Sequence, residues 1–233
     1  MTRLELAGLT TRITGPADAP VTVILLHGFG APGDDLVPLS QAIRAPARYV
    51  FPAAPLELGG LYGDSRAWWL LDLAKLEQEL RAGTPRDRSG EVPDGLAAAR
   101  GSVMRLIDQL LARHPLPPGG KLVLGGFSQG AMLALDVALH RETPPDGLVL
   151  MSTTLIAASE WQPRMARLAG VPIVMSHGKH DMLLPFAIAE ELRDQLRAAG
   201  AVVDWHPFLG GHEIPPMVLD AVGALVLERA TAA

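Results

Sequence analysis

The chain has 233 residues, of which 48% are hydrophobic and 19% charged, and its net charge of −5 is spread along the sequence. This composition is typical of an ordinary globular protein, and acidic residues outnumber basic ones by 25 to 20. A nucleic-acid partner is therefore not expected, because phosphate binding requires clustered Lys and Arg. The absence of cysteine excludes disulfides, thiolate metal sites and a thiol nucleophile.

The N-terminus lacks the features of a secretory signal, which needs a charged region followed by an unbroken apolar stretch. No apolar run approaches the roughly 18 residues that a membrane span needs. We therefore expect a cytoplasmic protein without stable membrane insertion.

Residues 2–14 predict one or two antiparallel strands at the edge of a sheet, closed by Gly15 and Pro16. Six later runs rich in Val, Ile and Leu predict buried strands of a mainly parallel sheet. These runs cover residues 21–27, 49–51, 121–127, 147–151, 171–177 and 202–208.

Helical spacing places apolar residues on one face of three segments, at residues 103–111, 188–196 and 218–226. Strands that alternate with amphipathic helices imply right-handed crossovers. We therefore expect one α/β domain over residues 1–233, with helices on both faces of a mainly parallel sheet.

Residues 53–92 do not fit this alternation. They contain the Gly59–Gly60 pair, an apolar cluster at 68–71 and the start of a polar loop at 83–93. Connections this long without regular structure of their own are often lids or binding loops, so we place this segment beside the active site. A surface excursion whose tryptophans only pack against the sheet is an equally open interpretation.

The motif Gly-Phe-Ser-Gln-Gly at residues 126–130 directly follows a predicted strand and precedes an apolar helix. In a Gly-x-Ser-x-Gly elbow the serine sits on a strained turn that exposes its hydroxyl at the edge of the sheet. The motif predicts Ser128 as a nucleophile. A glycine-rich turn with an idle serine is the alternative.

A serine nucleophile needs a base and a carboxylate that orients that base. In this fold the chain order is serine, acid, histidine, and the sequence supplies that order. Asp181 follows the strand at 171–177, and His212 follows the strand at 202–208 in a Gly-Gly-His loop. Both loops follow carboxyl ends of strands, where ligands bind in open parallel sheets.

His177 and His180 form a His-x-x-His pair. Without cysteine or a further cluster of ligands, two histidines on a loop are a weak metal site, and we interpret them as local structure around Asp181. We expect neither a metal nor a cofactor.

Acyl transfer also requires donors for the tetrahedral oxyanion. The backbone amide of Gln129, directly after the nucleophile, is the first expected donor. The second is the amide of Phe29, in the glycine-flanked turn at residues 26–30. His27 either pins this turn by a hydrogen bond or is a plain structural histidine.

Four segments together resemble the phospholipase/carboxylesterase family, which includes bacterial carboxylesterases and acyl-protein thioesterases. They are Leu-Gly-Gly-Phe-Ser-Gln-Gly-Ala at 124–131, Leu-His-Gly-Phe-Gly at 26–30, His-Gly-Lys-His-Asp-Met-Leu-Leu-Pro at 177–185 and Gly-Gly-His-Glu-Ile at 210–214. The resemblance extends from Val21 onward. It implies an α/β-hydrolase fold without a large cap domain, acting on carboxylic esters or thioesters.

The sequence departs from the thioesterase branch at two places. Ala31 stands where that branch typically has Asp, and its Trp-Phe-Asp segment appears only loosely at residues 68–72. The resemblance therefore favours a bacterial-type serine carboxylesterase for short- to medium-chain esters.

Two alternatives remain: an acyl-protein thioesterase or lysophospholipase, and a non-catalytic hydrolase-fold protein that only binds a ligand. The residues expected to contact substrate are Trp68, Trp69, Leu70, Leu155, Met182 and Leu183. The expected partner is a small-molecule ester, and an exposed apolar surface leaves a homodimer possible.

Overall fold

A computed structural model describes residues 1–59, 63–83 and 87–232, with the backbone alone at 76, 79, 80 and 82. Gly60 of the Gly59–Gly60 pair and residues 84–86 of the polar loop at 83–93 lie outside the described residues.

The described residues form an eight-stranded sheet and a separate two-stranded ribbon. In chain order the strands are β1 Thr2–Leu6, β2 Leu9–Thr14, β3 Val21–Leu26, β4 Arg48–Pro52, β5 Leu56–Glu57, β6 Arg66–Ala67, β7 Lys121–Phe127, β8 Gly147–Met151, β9 Pro172–Gly178 and β10 Val202–Phe208. The large sheet has the order β1-β2-β4-β3-β7-β8-β9-β10. The pairs β1–β2 and β2–β4 are antiparallel, and all other neighbours in this sheet are parallel.

Most helices lie between these strands in the chain, and the last one, α7, follows β10. The helices are α1 Leu39–Ala42, α2 Leu73–Ala82, α3 Leu96–Arg113, α4 Gln129–His140, α5 Ala158–Trp161, α6 Phe186–Ala198 and α7 Pro216–Thr231, with a 3-10 helix at Gln162–Leu168 after α5. The parallel strands with intervening helices have the arrangement of an α/β-hydrolase fold, as the sequence predicts.

Two apolar cores cover the two faces of the sheet. On one face, alternate strand residues such as Ile24 and Leu124 pack with buried residues of α3, α4 and α6. On the other, Val23 and Val123 pack with Val222 and its neighbours on α7. The alternation follows from the two-residue period of a strand, and it explains why the central strands β3 and β8 are buried along their whole length.

The predicted strands 121–127, 147–151 and 202–208 agree with the observed bounds, and the others differ by one or two residues. The edge prediction for residues 2–14 is confirmed, since β1 and β2 form an antiparallel pair there. Residues 53–92 contain more regular structure than expected, because the β5–β6 ribbon and helix α2 both fall within them.

Candidate active site

Ser128 lies at the sharp turn between β7 and α4. Its backbone has φ 53° and ψ −120°, a strained conformation for a residue with a side chain. The Ser128 amide donates to the Met151 carbonyl of the neighbouring strand at 2.9 Å, and its carbonyl accepts from Ala131 at 2.9 Å. The strand before the turn and the helix after it therefore hold the strained residue in place.

The two flanking glycines are required by close backbone approach. A Cβ atom at Gly126 or at Gly130 would collide with the carbonyl oxygen of Leu26 on the adjacent strand. The pattern Gly-x-Ser-x-Gly is thus a packing requirement of this turn, where α4 begins directly against the end of β3.

Asp181 and His212 meet at the same edge of the sheet. His212 Nδ1 lies 2.7 Å from Asp181 Oδ2, and the Asp181 side chain is fully buried. The other oxygen, Oδ1, accepts the amides of Leu183 at 2.9 Å and Leu184 at 3.0 Å. Both oxygens of the carboxylate are therefore hydrogen-bonded. Because His212 Nδ1 bonds to the acid, Nε2 is the ring nitrogen that does not contact it.

Backbone contacts join the loops that carry the acid and the histidine. Lys179 donates to the Phe208 carbonyl and His180 to the Gly210 carbonyl, each at 2.9 Å. A Cβ at Gly178 would collide with the carbonyl oxygens of Gly210 and Gly211. Glycines at the ends of β9 and β10 thus allow the close approach that brings Asp181 to His212.

The environment of Asp181 favours its charged form. Burial raises its pKa, but the hydrogen bond and charge of His212, with the amides of Leu184 and Leu183, outweigh burial. The pKa of Asp181 therefore lies below its ordinary value, and the residue is a carboxylate at neutral pH.

His177 is a fully buried neighbour of this carboxylate. Its Nε2 donates to the Leu184 carbonyl at 2.9 Å and lies 3.4 Å from Asp181 Oδ2. Burial lowers the pKa of His177 despite these contacts. As the sequence predicts, this histidine belongs to the local structure around Asp181.

The two amides expected to bind the oxyanion belong to Gln129, directly after Ser128, and to Phe29, in the turn after β3. Gln129 is the first residue of α4, where backbone N–H groups lack intrahelical acceptors. In the described part of the chain, neither the Gln129 nor the Phe29 amide donates to a protein acceptor. The turn holding Phe29 is fixed on β6, because Gly30 donates to the Arg66 carbonyl at 2.9 Å and Arg66 to Ala31 at 3.0 Å.

The side chain of His27 also holds this turn in place. Its Nδ1 lies 2.8 Å from the Gly28 carbonyl, and its Nε2 accepts the Ala54 amide at 3.0 Å. These partners require the proton on Nδ1, and burial is the main reason that the pKa of His27 is lowered. Of the two interpretations of His27, the structure supports the one in which it holds the turn.

A cavity of about 490 Å³ brings these groups together. Ser128, Gln129, His212 and Phe29 all line it. Its apolar lining includes Trp69, Leu70, Phe127, Met132, Ile156 and Leu184. The ring of Phe127 packs against the His212 imidazole, with 4.8 Å between centroids. The volume suits a small-molecule ligand.

The six residues expected to contact substrate divide into two groups. Trp69, Leu70 and Leu183 line the cavity. Trp68, Leu155 and Met182 do not line it, and these three expectations need correction: Trp68 and Leu155 are buried in the core, whereas Met182 is 52% exposed. Adjacent residues point in different directions here, which an apolar run in the sequence does not reveal.

Part of the cavity wall carries no signal in the sequence. Val92, Pro93 and Asp94 line it at and just beyond the end of the excursion, and Thr154 and Ile156 line it from the segment after β8. The two segments are tied together, because Ala157 donates to the Glu91 carbonyl and Ala158 to the Ser89 carbonyl, each at 2.8 Å. No local motif marks such a contact between distant loops.

A possible cation site elsewhere is already filled by a side chain. Among the described residues, Asp136, His140 and Glu160 bring three metal-binding atoms within 4.8 Å of one another. Arg100 Nη1 lies 3.1 Å from Asp136, 2.8 Å from His140 Nε2 and 3.4 Å from Glu160. The guanidinium takes the position that a metal ion would need.

In the part of the chain that the structure describes, no helix combines the length and apolar character needed to cross a bilayer.

A family model described as Phospholipase/Carboxylesterase matches residues 11–226. Carboxylesterase SOBER1 from Arabidopsis thaliana is 26% identical over 215 residues, covering 89% of this chain and 90% of that protein. Acyl-protein thioesterase 1 from Neurospora crassa is 24% identical over 218 residues, covering 89% and 86% respectively.

Solved structures of esterases are also similar to this chain. The crystal structure of esterase PE8 has a TM-score of 0.76 and 27% identity, covering 94% of this chain and 98% of that one. A carboxylesterase from Mesorhizobium loti has a TM-score of 0.74 at 19% identity, covering 97% and 98%. The second likeness concerns the fold alone.

Proposed function

Because the chain belongs to the phospholipase/carboxylesterase family of α/β-hydrolases and is a carboxylic ester hydrolase, we propose that it cleaves short- to medium-chain esters through Ser128, His212 and Asp181. The observation that carries this proposal is the 2.7 Å contact between His212 and Asp181 beside the cavity that Ser128 lines. A buried carboxylate bonded to a histidine, with that histidine lining the same cavity as a strained serine, is the arrangement expected to activate a hydroxyl.

In the first step, the Ser128 hydroxyl oxygen bonds to the ester carbonyl carbon while its proton passes to His212 Nε2. The carbonyl electrons move to the oxygen, which becomes an oxyanion bound by the amides of Gln129 and Phe29. When this intermediate collapses, the bond to the alcohol oxygen breaks and His212 returns the proton to that oxygen. Alcohol leaves, and an acyl-Ser128 ester remains.

In the second step, His212 takes a proton from water as the water oxygen attacks the acyl carbon. Collapse of this intermediate releases the carboxylic acid and restores the Ser128 hydroxyl with the proton from His212. Throughout, the Asp181 carboxylate stabilises the imidazolium, because its lowered pKa keeps it negatively charged. No step requires an added cofactor.

The test compares hydrolysis of p-nitrophenyl acetate and butyrate by the wild type and by Ser128→Ala. We expect clear turnover by the wild type and a loss of about 10⁴-fold or more in kcat for the variant, since the nucleophile is removed. Ser102→Ala, on α3 and outside the lining of the cavity, is the matched control and should retain full activity.

Labelling with a fluorophosphonate probe separates an enzyme from a binding protein. Labelling of Ser128 in the folded wild type supports the proposal. A folded protein that takes up no probe and cleaves neither ester contradicts it and favours the non-catalytic alternative.

A further inference from the structure

The side chain of Gln129 has contacts separate from the amide assigned to the oxyanion. It is 3% exposed, and its Oε1 accepts the Trp68 backbone amide at 2.9 Å. Its Nε2 donates to the Trp69 carbonyl, also at 2.9 Å. One carboxamide therefore binds both ends of the Trp68–Trp69 dipeptide, 60 residues earlier in the chain.

The same dipeptide is bonded to the other side of the proposed oxyanion hole. The Trp68 indole Nε1 donates to the His27 carbonyl at 3.0 Å, two residues before Phe29. Its ring also packs near the His27 imidazole, with 5.6 Å between centroids. Trp68 thus contacts both segments that carry the expected oxyanion donors, although it does not line the cavity.

Trp69 connects this arrangement to the cavity. It follows Trp68 directly, and with Leu70 and Leu71 it forms one wall of the space beside Ser128. Trp69 is itself buried, so its position depends on neighbours rather than on solvent. Any shift of the dipeptide backbone changes the shape of the wall and the spacing of the two amides together.

Resting on the function proposed above, we infer that the Trp68–Trp69 dipeptide bridges the two halves of the oxyanion hole, and that the Gln129 side chain is a positioning residue that also sets acyl-chain selectivity. Without the carboxamide, the Trp68 amide and the Trp69 carbonyl would be buried and unpaired, so the dipeptide must move to find new partners. Long acyl chains contact more of the wall than acetyl groups do. The loss should therefore grow with chain length.

The test measures kcat and KM for p-nitrophenyl acetate and octanoate with Gln129→Met, which keeps the length of the side chain and removes both hydrogen bonds. We expect kcat/KM to fall about tenfold on acetate and about 100-fold on octanoate, because displacement of positioning groups by about 1 Å costs up to this much. The larger fall on octanoate should come from a raised KM. Gln195→Met, at a half-buried glutamine of α6 that does not line the cavity, is the control and should change neither value by more than about twofold.

Trp68→Phe should change the kinetics in a different way from Gln129→Met. It retains an aromatic ring but removes the indole N–H that bonds to His27, so kcat should fall about fivefold on both esters while their ratio stays constant. Equal losses on acetate and octanoate with Gln129→Met, or no loss in the folded variant, would overturn the inference. If Gln129→Met does not fold, an unchanged kcat in Trp68→Phe overturns it instead.

A crystal structure of Gln129→Met supplies a readout that does not need turnover. A displaced Trp69 supports the bridge, whereas an unmoved one refutes it. If the wild type cleaves neither ester, the proposed function fails, and this structure still decides the role of Gln129.

Discussion

The two walls of the cavity at Ser128 and His212 are built by different means. On one side, Ser128, Asp181 and His212 follow the carboxyl ends of β7, β9 and β10, so the regular spacing of a parallel sheet brings them to one edge. On the other side, Trp69, Leu70 and Val92 belong to the excursion at 53–92, which is held by hydrogen bonds to distant segments.

We therefore expect the two walls to have different roles. The strand-end wall holds the proposed catalytic groups at the ends of β7, β9 and β10, on closely packed backbone where small movements are costly. The excursion wall shapes the space around the substrate, and several of its side chains are exposed, such as Leu70 at 66%. Changes in the first wall should affect stability and rate, and changes in the second should affect selectivity.

The largest effect on stability is expected from Gly130→Ala at the strand-end wall. The added Cβ meets the backbone of Leu26 and His27, which cannot yield as a flexible side chain could, so the free energy of unfolding should fall by about 3 kcal/mol. Urea unfolding measures this change. Gly101→Ala in α3 is the matched control, because its Cβ meets only the end of the Arg105 side chain, at 3.2 Å. That substitution should stabilise the helix by about 0.5–1 kcal/mol, and a Gly130 variant as stable as the wild type would refute the packing argument.

A smaller effect is expected where the two walls join, at His27. Burial lowers the pKa of His27 in the folded protein, whereas in the unfolded chain it lies near 6.5. The unfolded chain therefore binds more protons below about pH 6.5, and stability that is fully present above this pH is lost as the pH falls toward the folded pKa. His27→Gln removes this contribution.

We expect the unfolding free energy of the wild type to fall more steeply between pH 7.5 and 5.5 than that of His27→Gln, by up to about 1.4 kcal/mol per pH unit. Urea unfolding at several pH values provides the comparison. The lowered pKa of His177 has the same sign and contributes equally to both proteins. Parallel curves for the two proteins would mean that His27 is not held neutral by burial.

The smallest effect belongs to the excursion wall. Leu70 lines the cavity, and Leu73, three residues on and 41% exposed, does not. Leu70→Ala should lower the preference for p-nitrophenyl octanoate over acetate about threefold, since some apolar area is no longer buried by the acyl chain. Leu73→Ala should leave the preference unchanged. If both variants behave alike, the excursion does not set selectivity in the way described.

The positions of Ser128, Asp181 and His212 at strand ends can be predicted from sequence because the signals of the strand-end wall are local. Gly126, Ser128 and Gly130 mark a tight turn, and Gly210 and Gly211 mark the loop before His212, each at a predicted strand end. The same reasoning predicted the sheet, because buried parallel strands are continuous apolar runs.

The excursion wall was predicted less well, for physical reasons. Trp68 and Trp69 are alike in sequence, yet one bonds to His27 behind the cavity and the other lines it. The partners of this segment, such as Gln129 and the loop at Ala157, are far away in the chain. Bonds between side chains and distant backbone leave no periodic pattern, so only the folded structure reveals them.

The most direct test of the account is the joint contribution of Ser128 and His212 to kcat/KM on p-nitrophenyl butyrate. Measured as single variants and as the double variant Ser128→Ala, His212→Ala, the losses should not add, and the double variant should be no slower than the worse single one, because the two groups act as a unit. A His212→Ala enzyme with nearly normal activity, or losses that multiply in the double variant, would contradict the account.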